Sequence, residues 1–195
     1  MKAISDRFLV RHSLAGDSAA FEKLVKSHER LVAHIVFRMI RTERDREDIC
    51  QDIFIKVYRN LSSFKFKCRL STWIATIAFN TCRNHLEKRR MPLHEDIKQA
   101  GESVVDVKSE IEKPDALVER NDTAEHVRKQ IESLPLHYRT VLTLYHLEDM
   151  SYREIGQIMD MPEGTVKSYL FRARRILRDR LNARYKPEEL WKEAI

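Results

Sequence analysis

Glycine and proline are scarce in this chain, four and five among 195 residues. So few breakers leave little room for the tight turns that join short strands, and apolar–polar alternation at period two is nearly absent. The expectation is an all-α chain of helices joined by few turns. Cysteine is scarcer still: Cys50, Cys68 and Cys82. An odd number with no metal or disulfide spacing argues against a stapled secreted scaffold and fits a reducing cytoplasm. Cys82 and His85 stand three apart on a helical stretch, as half a metal pair would. No second pair accompanies them, and a structural metal needs about four ligands. No apolar run reaches about 18 residues and no secretory signal opens the chain, so a cytoplasmic location is expected. A nucleophile–base set, a glycine-rich phosphate loop and a metal cluster are missing too. No enzyme activity, metal or cofactor is therefore expected.

What is present is charge and helical periodicity. The chain is 43% hydrophobic and 34% charged, with a net charge of +6. That charge is uneven. Residues 151–186 carry nine Lys/Arg against four Asp/Glu, whereas residues 93–120 carry four against eight. A basic end behind an acidic middle signals a partner more than a fold.

The basic end reads as helix, tight turn, helix. Ser151 with Glu154 three residues on is a capping box, so a helix should start at Tyr152. Ile155, Ile158 and Met159 give it one buried stripe. Gly156 costs helix propensity but lets a neighbouring helix come close. Pro162 and Gly164 end the element, and Thr165 is a good N-cap for the next helix. There Val166, Leu170, Ala173, Leu177 and Leu181 form a core stripe. At about 100° per residue, Lys167, Ser168, Phe171, Arg172, Arg175 and Arg178 fall on the other side. A phenylalanine on a cationic face fits contact with a thymine methyl or the sugar-phosphate backbone. The competing reading is a solvated basic face with one stray aromatic. The capping box, the turn and that aromatic favour a helix-turn-helix with its second helix in the DNA major groove.

Upstream, four helices are predicted. Ser5 caps the first, which Gly16 ends. Asp17 or Ser18 starts the second, apolar through Phe21, Leu24, Val25, Leu31, Val32, Ile35 and Val36. The third runs from about Asp45 to Asn60 on Ile49, Ile53, Val57 and Leu61. Ser71 can cap the fourth, which runs to Arg90. Residues 93–121 lose the pattern and read as an acidic linker. Asp122 with Glu125 then starts another helix, Pro135 separates it from Leu136–Leu147, and Pro187–Ile195 reads as a short frayed helix. The implied domains are residues 1–92 and 122–195 around the linker.

The fourth helix carries a second signal. Ile74, Ala75, Ala78, Phe79, Cys82 and Leu86 share its core face. Trp73, Ile77, Asn80 and Asn84 line the opposite side, as a surface that stacks on or reads bases would. Arg83, Lys88, Arg89 and Arg90 supply cations for phosphates. Phe64, Lys65, Phe66 and Lys67 interleave aromatics and cations, as single-strand binders do. The competing reading packs Trp73 on a neighbouring helix and uses Phe64 to plug a loop.

Three stretches in order give a resemblance. Asp48–Tyr58 resembles the region 2.2 helix of the sigma-70 family, in its small two-domain, extracytoplasmic-function type. Ser71–Asn84 resembles the region 2.3–2.4 helix. Ser133-Leu134-Pro135 with the opening helix-turn-helix resembles region 4. The resemblance implies a dissociable subunit of bacterial RNA polymerase that melts the −10 element and reads the −35 element. It implies docking of Asp48, Gln51, Asp52 and Lys56 on the β′ coiled coil, a second contact with the β flap, and possible control by an anti-sigma factor. It assigns −10 contacts to Phe64, Lys65, Phe66, Trp73, Asn80, Arg83 and Asn84. It assigns −35 contacts to Thr165, Lys167, Ser168, Phe171, Arg172 and Arg175. No small-molecule substrate and no membrane insertion are implied. One departure stands out. Relatives often carry Arg-Gly-Asp or Arg-Gly-Glu after the loop phenylalanine, where this chain has Lys65-Phe66-Lys67. The missing glycine changes the loop's backbone freedom, and Phe66 is expected to share the work of Phe64.

Other classes compete. A repressor or activator with a helical sensor would have no use for the Trp73–Asn80–Asn84 face. A recombinase lacks a catalytic Ser, Tyr or Arg constellation. An interaction-only adaptor leaves two nucleic-acid faces unexplained. The linker adds a length constraint. Leu93–Glu119 averages roughly 30 Å as a flexible coil and stretches to about 90 Å. Two DNA elements one to two turns apart are about 35–70 Å apart. Binding both favours an extended linker held by a partner.

Overall fold

The computed structural model describes residues 5–90 and 119–183, and all regular structure among them is helical. Helices α1 (Asp6–Leu14), α2 (Ser18–Met39), α3 (Glu43–Asn60) and α4 (Leu70–Arg90) form a first bundle, with a 3-10 turn at Leu61–Ser63 before α4. Helices α5 (Glu119–Glu132), α6 (Leu136–His146), α7 (Tyr152–Met159) and α8 (Glu163–Asn182) form a second. The acidic stretch before α5 and the predicted Pro187–Ile195 helix lie outside the described residues.

The first bundle follows from its caps and stripes. Ser5 Oγ accepts the Phe8 N–H at 3.4 Å, and Asp17 Oδ1 accepts the Ala20 N–H at 3.1 Å. Asp17, not Ser18, is thus the cap of α2. Between them Gly16 sits at φ 92°, a left-handed turn that suits glycine. Leu24, Leu31, Val32, Ile35 and Val36 of α2 are buried against Ile49, Ile53 and Val57 of α3 and Ile74, Ala75, Ala78, Phe79 and Cys82 of α4. The two alanines let α4 lie close to α2.

The second bundle hangs on the α7–α8 turn. The Ser151–Glu154 capping box is complete in both directions. Asp160 takes a left-handed φ of 55°, and the Met161 N–H returns to the Gly156 carbonyl at 3.0 Å. The chain folds back so tightly that a Cβ on Gly156 would lie 2.7 Å from the Met161 carbonyl oxygen. The sequence predicts a neighbouring helix at this glycine; what comes close is the backbone of the turn itself. Ile155, Ile158, Met159, Val166, Leu170 and Ala173 are buried by it.

Several boundaries differ from the sequence reading. Helix α8 begins at Glu163, because the Pro162 carbonyl already accepts the Thr165 and Val166 N–H groups at 2.9 and 3.2 Å. Thr165 is therefore inside the first turn instead of capping it. A proline with φ preset near −60° is pre-organised for that position. Helix α4 begins at Leu70, so Ser71 is likewise helical and not the cap. Helix α3 starts at Glu43, two residues ahead of Asp45, and α5 starts at Glu119, which places Asp122 inside a helix and the expected linker end within α5.

The two bundles pack on one another, α6 against α2 and α7 against α4, and their buried side chains form one continuous cluster. Polar contacts rim this junction. His34 Nδ1 meets a Glu148 carboxylate oxygen, and Arg38 reaches Glu132 at 3.4 Å. Arg139 is buried there, its guanidinium donating to the Glu132 carbonyl at 3.0 Å. Burial, with Arg41 and Arg38 nearby, pushes its pKa down to about 10, so it stays protonated at neutral pH.

The two helical glycines of the α7–α8 unit should respond oppositely to a methyl group. Gly156→Ala is expected to lower unfolding free energy by about 1–3 kcal/mol through overpacking against the Met161 carbonyl. Gly164, with nothing within 4 Å of its Cβ position, should tolerate alanine and gain about 0.4–1 kcal/mol. Urea midpoints of the two variants check this; equal shifts would contradict it.

Candidate nucleic-acid interface

Helix α8 turns Val166, Leu170 and Ala173 inward. Its helical period leaves Lys167, Ser168, Phe171, Arg172 and Arg175 exposed together, with Thr165 half-buried at the edge. Phe171 is 67% exposed, the most open of the large apolar side chains among the described residues. Arg175 lies 3.9 Å from Asp179, whereas Ser168 Oγ donates to the Gly164 carbonyl at 2.9 Å. The face is thus a convex row of cations around one bare ring, of a size that enters a major groove.

Helix α4 holds the other set. Arg83 and Asn84 are exposed, and Trp73, Ile77 and Asn80 are half-buried on the same side. The loop before α4 departs from expectation. Phe64 is only 7% exposed and its ring lies 5.2 Å from that of Trp73. The Phe64 N–H donates to the Leu61 carbonyl at 3.1 Å, which closes the turn and sends the ring inward. In this arrangement Phe64 plugs the loop. Phe66 is 39% exposed, 4.7 Å from the Phe64 ring, with the Lys65 and Lys67 side chains outward beside it.

On α3, Asp48, Gln51 and Asp52 are exposed as expected. Lys56 is only half-exposed, since its ammonium donates to Thr81 Oγ1 of α4 at 3.3 Å and lies 3.7 Å from Asp52. Sequence reasoning missed Ile55 and Tyr58, which are 47% and 57% exposed on the same helix. The signal was available, since both are apolar side chains off the Ile49–Ile53–Val57 stripe. Together they make an apolar ridge edged by carboxylates.

Thr72 was missed as well. It is 1% exposed and its hydroxyl donates to Glu154 Oε1 at 3.0 Å, with Arg69 3.7 Å from the same oxygen. Glu154 therefore caps α7 and ties α7 to α4. Burial pushes its carboxyl pKa up. The Ser151 backbone and hydroxyl bonds, the Thr72 bond and the Arg69 charge together outweigh that and hold it below its ordinary value. No helix among the described residues is long and apolar enough to cross a membrane. Cys82 is fully buried, and burial, with the nearby Cys50 second, pushes its thiol up to about 12, so it is an inert core residue at neutral pH. His85 Nε2 faces Asp45 at 3.4 Å.

Family models match both halves: sigma-70 region 2 over residues 24–91, and sigma-70 region 4 over residues 125–177. Across both halves the chain is 37% identical over 179 residues to the ECF RNA polymerase sigma-E factor of Escherichia coli, covering 88% of this chain and 91% of that one.

The chain belongs to the sigma-70 family of RNA polymerase sigma factors.

A second relative is the RNA polymerase sigma-H factor of Pseudomonas aeruginosa, 34% identical over 173 residues, or 87% of this chain and 90% of that one. Among solved structures, CnrH in complex with the cytosolic domain of CnrY has a TM-score of 0.65 at 21% identity, covering 92% of this sigma factor and 99% of that chain. The sigma factor RpoE of Bartonella quintana, in complex with the anti-sigma factor NepR, has a TM-score of 0.65 at 21% identity, covering 85% and 98%. These two establish the shared fold. The region 2 match covers most of α2 with α3 and α4, and the region 4 match runs from within α5 to within α8.

The depressed Glu154 carboxyl makes the region 2–region 4 contact acid-sensitive. A group whose folded pKa is lowered adds stability that is fully present above its ordinary value of 4.5 and is lost as pH falls through the folded value. The stability difference between the wild type and Glu154→Gln should therefore be constant near neutral pH and shrink in acid, followed by denaturant midpoints. A difference that does not change with pH would contradict the assignment.

Proposed function

We propose that this sigma factor binds core RNA polymerase and directs promoter-specific initiation, reading a −35 element with α8 and melting a −10 element with α4 and the loop before it. The single observation that carries this reading is the pair of exposed cationic–aromatic faces, one in each bundle, in the order that region 2 and region 4 prescribe. Lys167, Ser168, Phe171, Arg172 and Arg175, with Thr165 at their edge, contact duplex DNA. Trp73, Asn80, Arg83, Asn84 and the Lys65–Lys67 loop contact the opened strand. Melting needs no chemistry of the protein's own. A base leaves the stack at a cost of a few kcal/mol, which stacking and phosphate contacts on the protein offset. Bond-making belongs to the polymerase, so the sigma factor itself is not an enzyme and needs no cofactor.

Asp48, Gln51 and Asp52, with Ile55 and Tyr58 between them, form the proposed polymerase docking face for the β′ coiled coil, and region 4 meets the β flap. Lys56 contributes by holding α3 to α4. The protein works in the cytoplasm beside its polymerase. An anti-sigma factor is the proposed regulator; the support is that a protein of the same fold is described in complex with one. Helix α7 packs on α4 beside this face, with Glu154 against Thr72. Simultaneous reading of two separated DNA elements then requires the two bundles to part, with residues 91–118 spanning between them.

The test is to add the purified protein to core polymerase and a promoter library. Promoter-specific transcripts are expected, and their absence sinks the reading in favour of a polymerase-independent regulator. Within that assay Arg172→Ala should cost about 1–3 kcal/mol of discrimination at one −35 position. A uniform loss over all sequences would make Arg172 a phosphate contact instead. Asn80→Ala should impair −10 opening at unchanged polymerase affinity, and weaker polymerase binding would refute that division of labour.

A further inference from the structure

The seam between the two bundles gathers more positive charge than it balances. Arg38 near the end of α2, Arg41 just past it, Arg128 of α5 and Arg139 of α6 stand together there. Each bundle supplies two of them. Among the described residues one carboxylate pairs with the group: Glu132 lies 3.4 Å from Arg38 and 3.8 Å from Arg128. Arg139 gives one N–H to the Glu132 backbone carbonyl at 3.0 Å. Its Nε is sealed from solvent and has no hydrogen-bond partner among the described residues. The exposed Arg41 guanidinium has no ion pair among them either. The cations press on one another. Burial first, then Arg41 and Arg38, hold the Arg139 pKa down to about 10. Burial lowers Arg38 as well; Glu132 opposes that shift and Arg128 adds to it. Like charges crowded at a seam cost stability unless a charge of opposite sign joins them.

We infer that this cluster is a binding site for a small phosphate-type oxyanion, which bridges Arg38 and Arg41 of the first bundle to Arg128 and Arg139 of the second and so holds the bundles together. A guanidinium fork matches two oxygens of a phosphate, and such charge-assisted bonds are about twice as strong as neutral ones. Exposed Arg41 and Arg128 take the ion at the mouth of the seam, with Arg38 half-buried beside them and the charge of buried Arg139 drawing it from beneath. Arg46, a further cation on this side of α3, is engaged elsewhere: it donates to the Ile40 carbonyl at 2.9 Å and lies over the Phe37 ring. The ligand is small because Arg38 is only 16% exposed and Arg139 is buried, out of reach of a rod as wide as a duplex. An ion that binds the packed form alone shifts the balance toward it, and whatever needs the bundles apart weakens the ion in return. Under the proposed function the ion is a brake on promoter reading. The site itself stands without that function, since it is built from the packed chain alone.

The probes are inorganic phosphate and pyrophosphate, each compared with sodium chloride at equal ionic strength, and the readout is the urea midpoint of the full chain. Both oxyanions should raise the wild-type midpoint in a saturable way. Arg41→Gln and Arg128→Gln each remove one exposed cation, one from either bundle. Each should weaken pyrophosphate roughly ten- to 150-fold. In chloride alone Arg41→Gln should keep or raise the midpoint, because it relieves Arg139; a residue that merely held the fold would lower it. Lys23→Gln makes the same charge change at another exposed position of α2 and should keep the full oxyanion gain. An equal gain in the wild type and all three variants would be the general salting effect of phosphate and would overturn the site. A gain lost in one arginine variant and intact in the other would refute the bridge. A duplex oligonucleotide whose affinity depends on Arg41 as strongly as that of pyrophosphate would give the cluster to the DNA backbone and remove the small-ion site.

Discussion

Ile74, Ala75, Ala78, Phe79 and Cys82 press one side of α4 into the first bundle, while Thr72, at the start of the same helix, is sealed by Glu154 of α7. Helix α4 is therefore gripped from two directions, and the relation of the two bundles rests on the second grip. A hydrogen bond to a charged acceptor contributes about 1.5–3 kcal/mol, too little to hold two bundles alone. It acts with the α2–α6 packing, the His34–Glu148 and Arg38–Glu132 contacts and the shared apolar cluster. Buried Arg139, flanked by Arg38 and Arg41, works against that junction. A contact that adds polar ties and a crowded cation to its apolar cluster separates more readily than a uniform apolar core.

That balance suits a protein with two jobs at two places on DNA. The α8 face is open in the packed arrangement, and α7 packs on α4 beside the Trp73–Asn80 face. A major-groove reader needs only a rigid convex helix, which the α7–α8 turn provides through Gly156. A strand opener needs an exposed aromatic and cations on a firm base, and Phe66, resting on buried Phe64 beside Lys65 and Lys67, is the proposed one. The two surfaces are physically distinct: one is a row of cations around a single bare ring, the other a ladder of rings beside amides and lysines.

Much of this was legible in the sequence because it is local. The Ser151–Glu154 box and the Val166–Leu170–Ala173 part of the inward stripe of α8 depend on residues within two turns of one another, and both stand in the structure as their spacing implied. What was not legible depended on distance or on a backbone choice. Glu154 looked like a cap residue, and nothing at i+3 or i+4 reveals a second partner 82 residues away. The spacing of the loop aromatics leaves both open, yet the turn closed by the Phe64 N–H sends that ring in while left-handed Phe66 stays exposed. Thr165 had the chemistry of a cap, but Pro162 closes the first turn three residues earlier. Ile55 and Tyr58 were legible as off-stripe apolar residues and were passed over in favour of the carboxylates beside them.

On the polymerase, the packed bundles are proposed to part so that one chain reads two DNA elements. Energy transfer between fluorophores at exposed Ser62 in the first bundle and exposed Arg178 on α8 measures it most directly, in the free chain and in an initiating promoter complex. High transfer is expected in the free chain and a marked loss in the complex. Equal transfer in both states, with transcription proceeding, would contradict it.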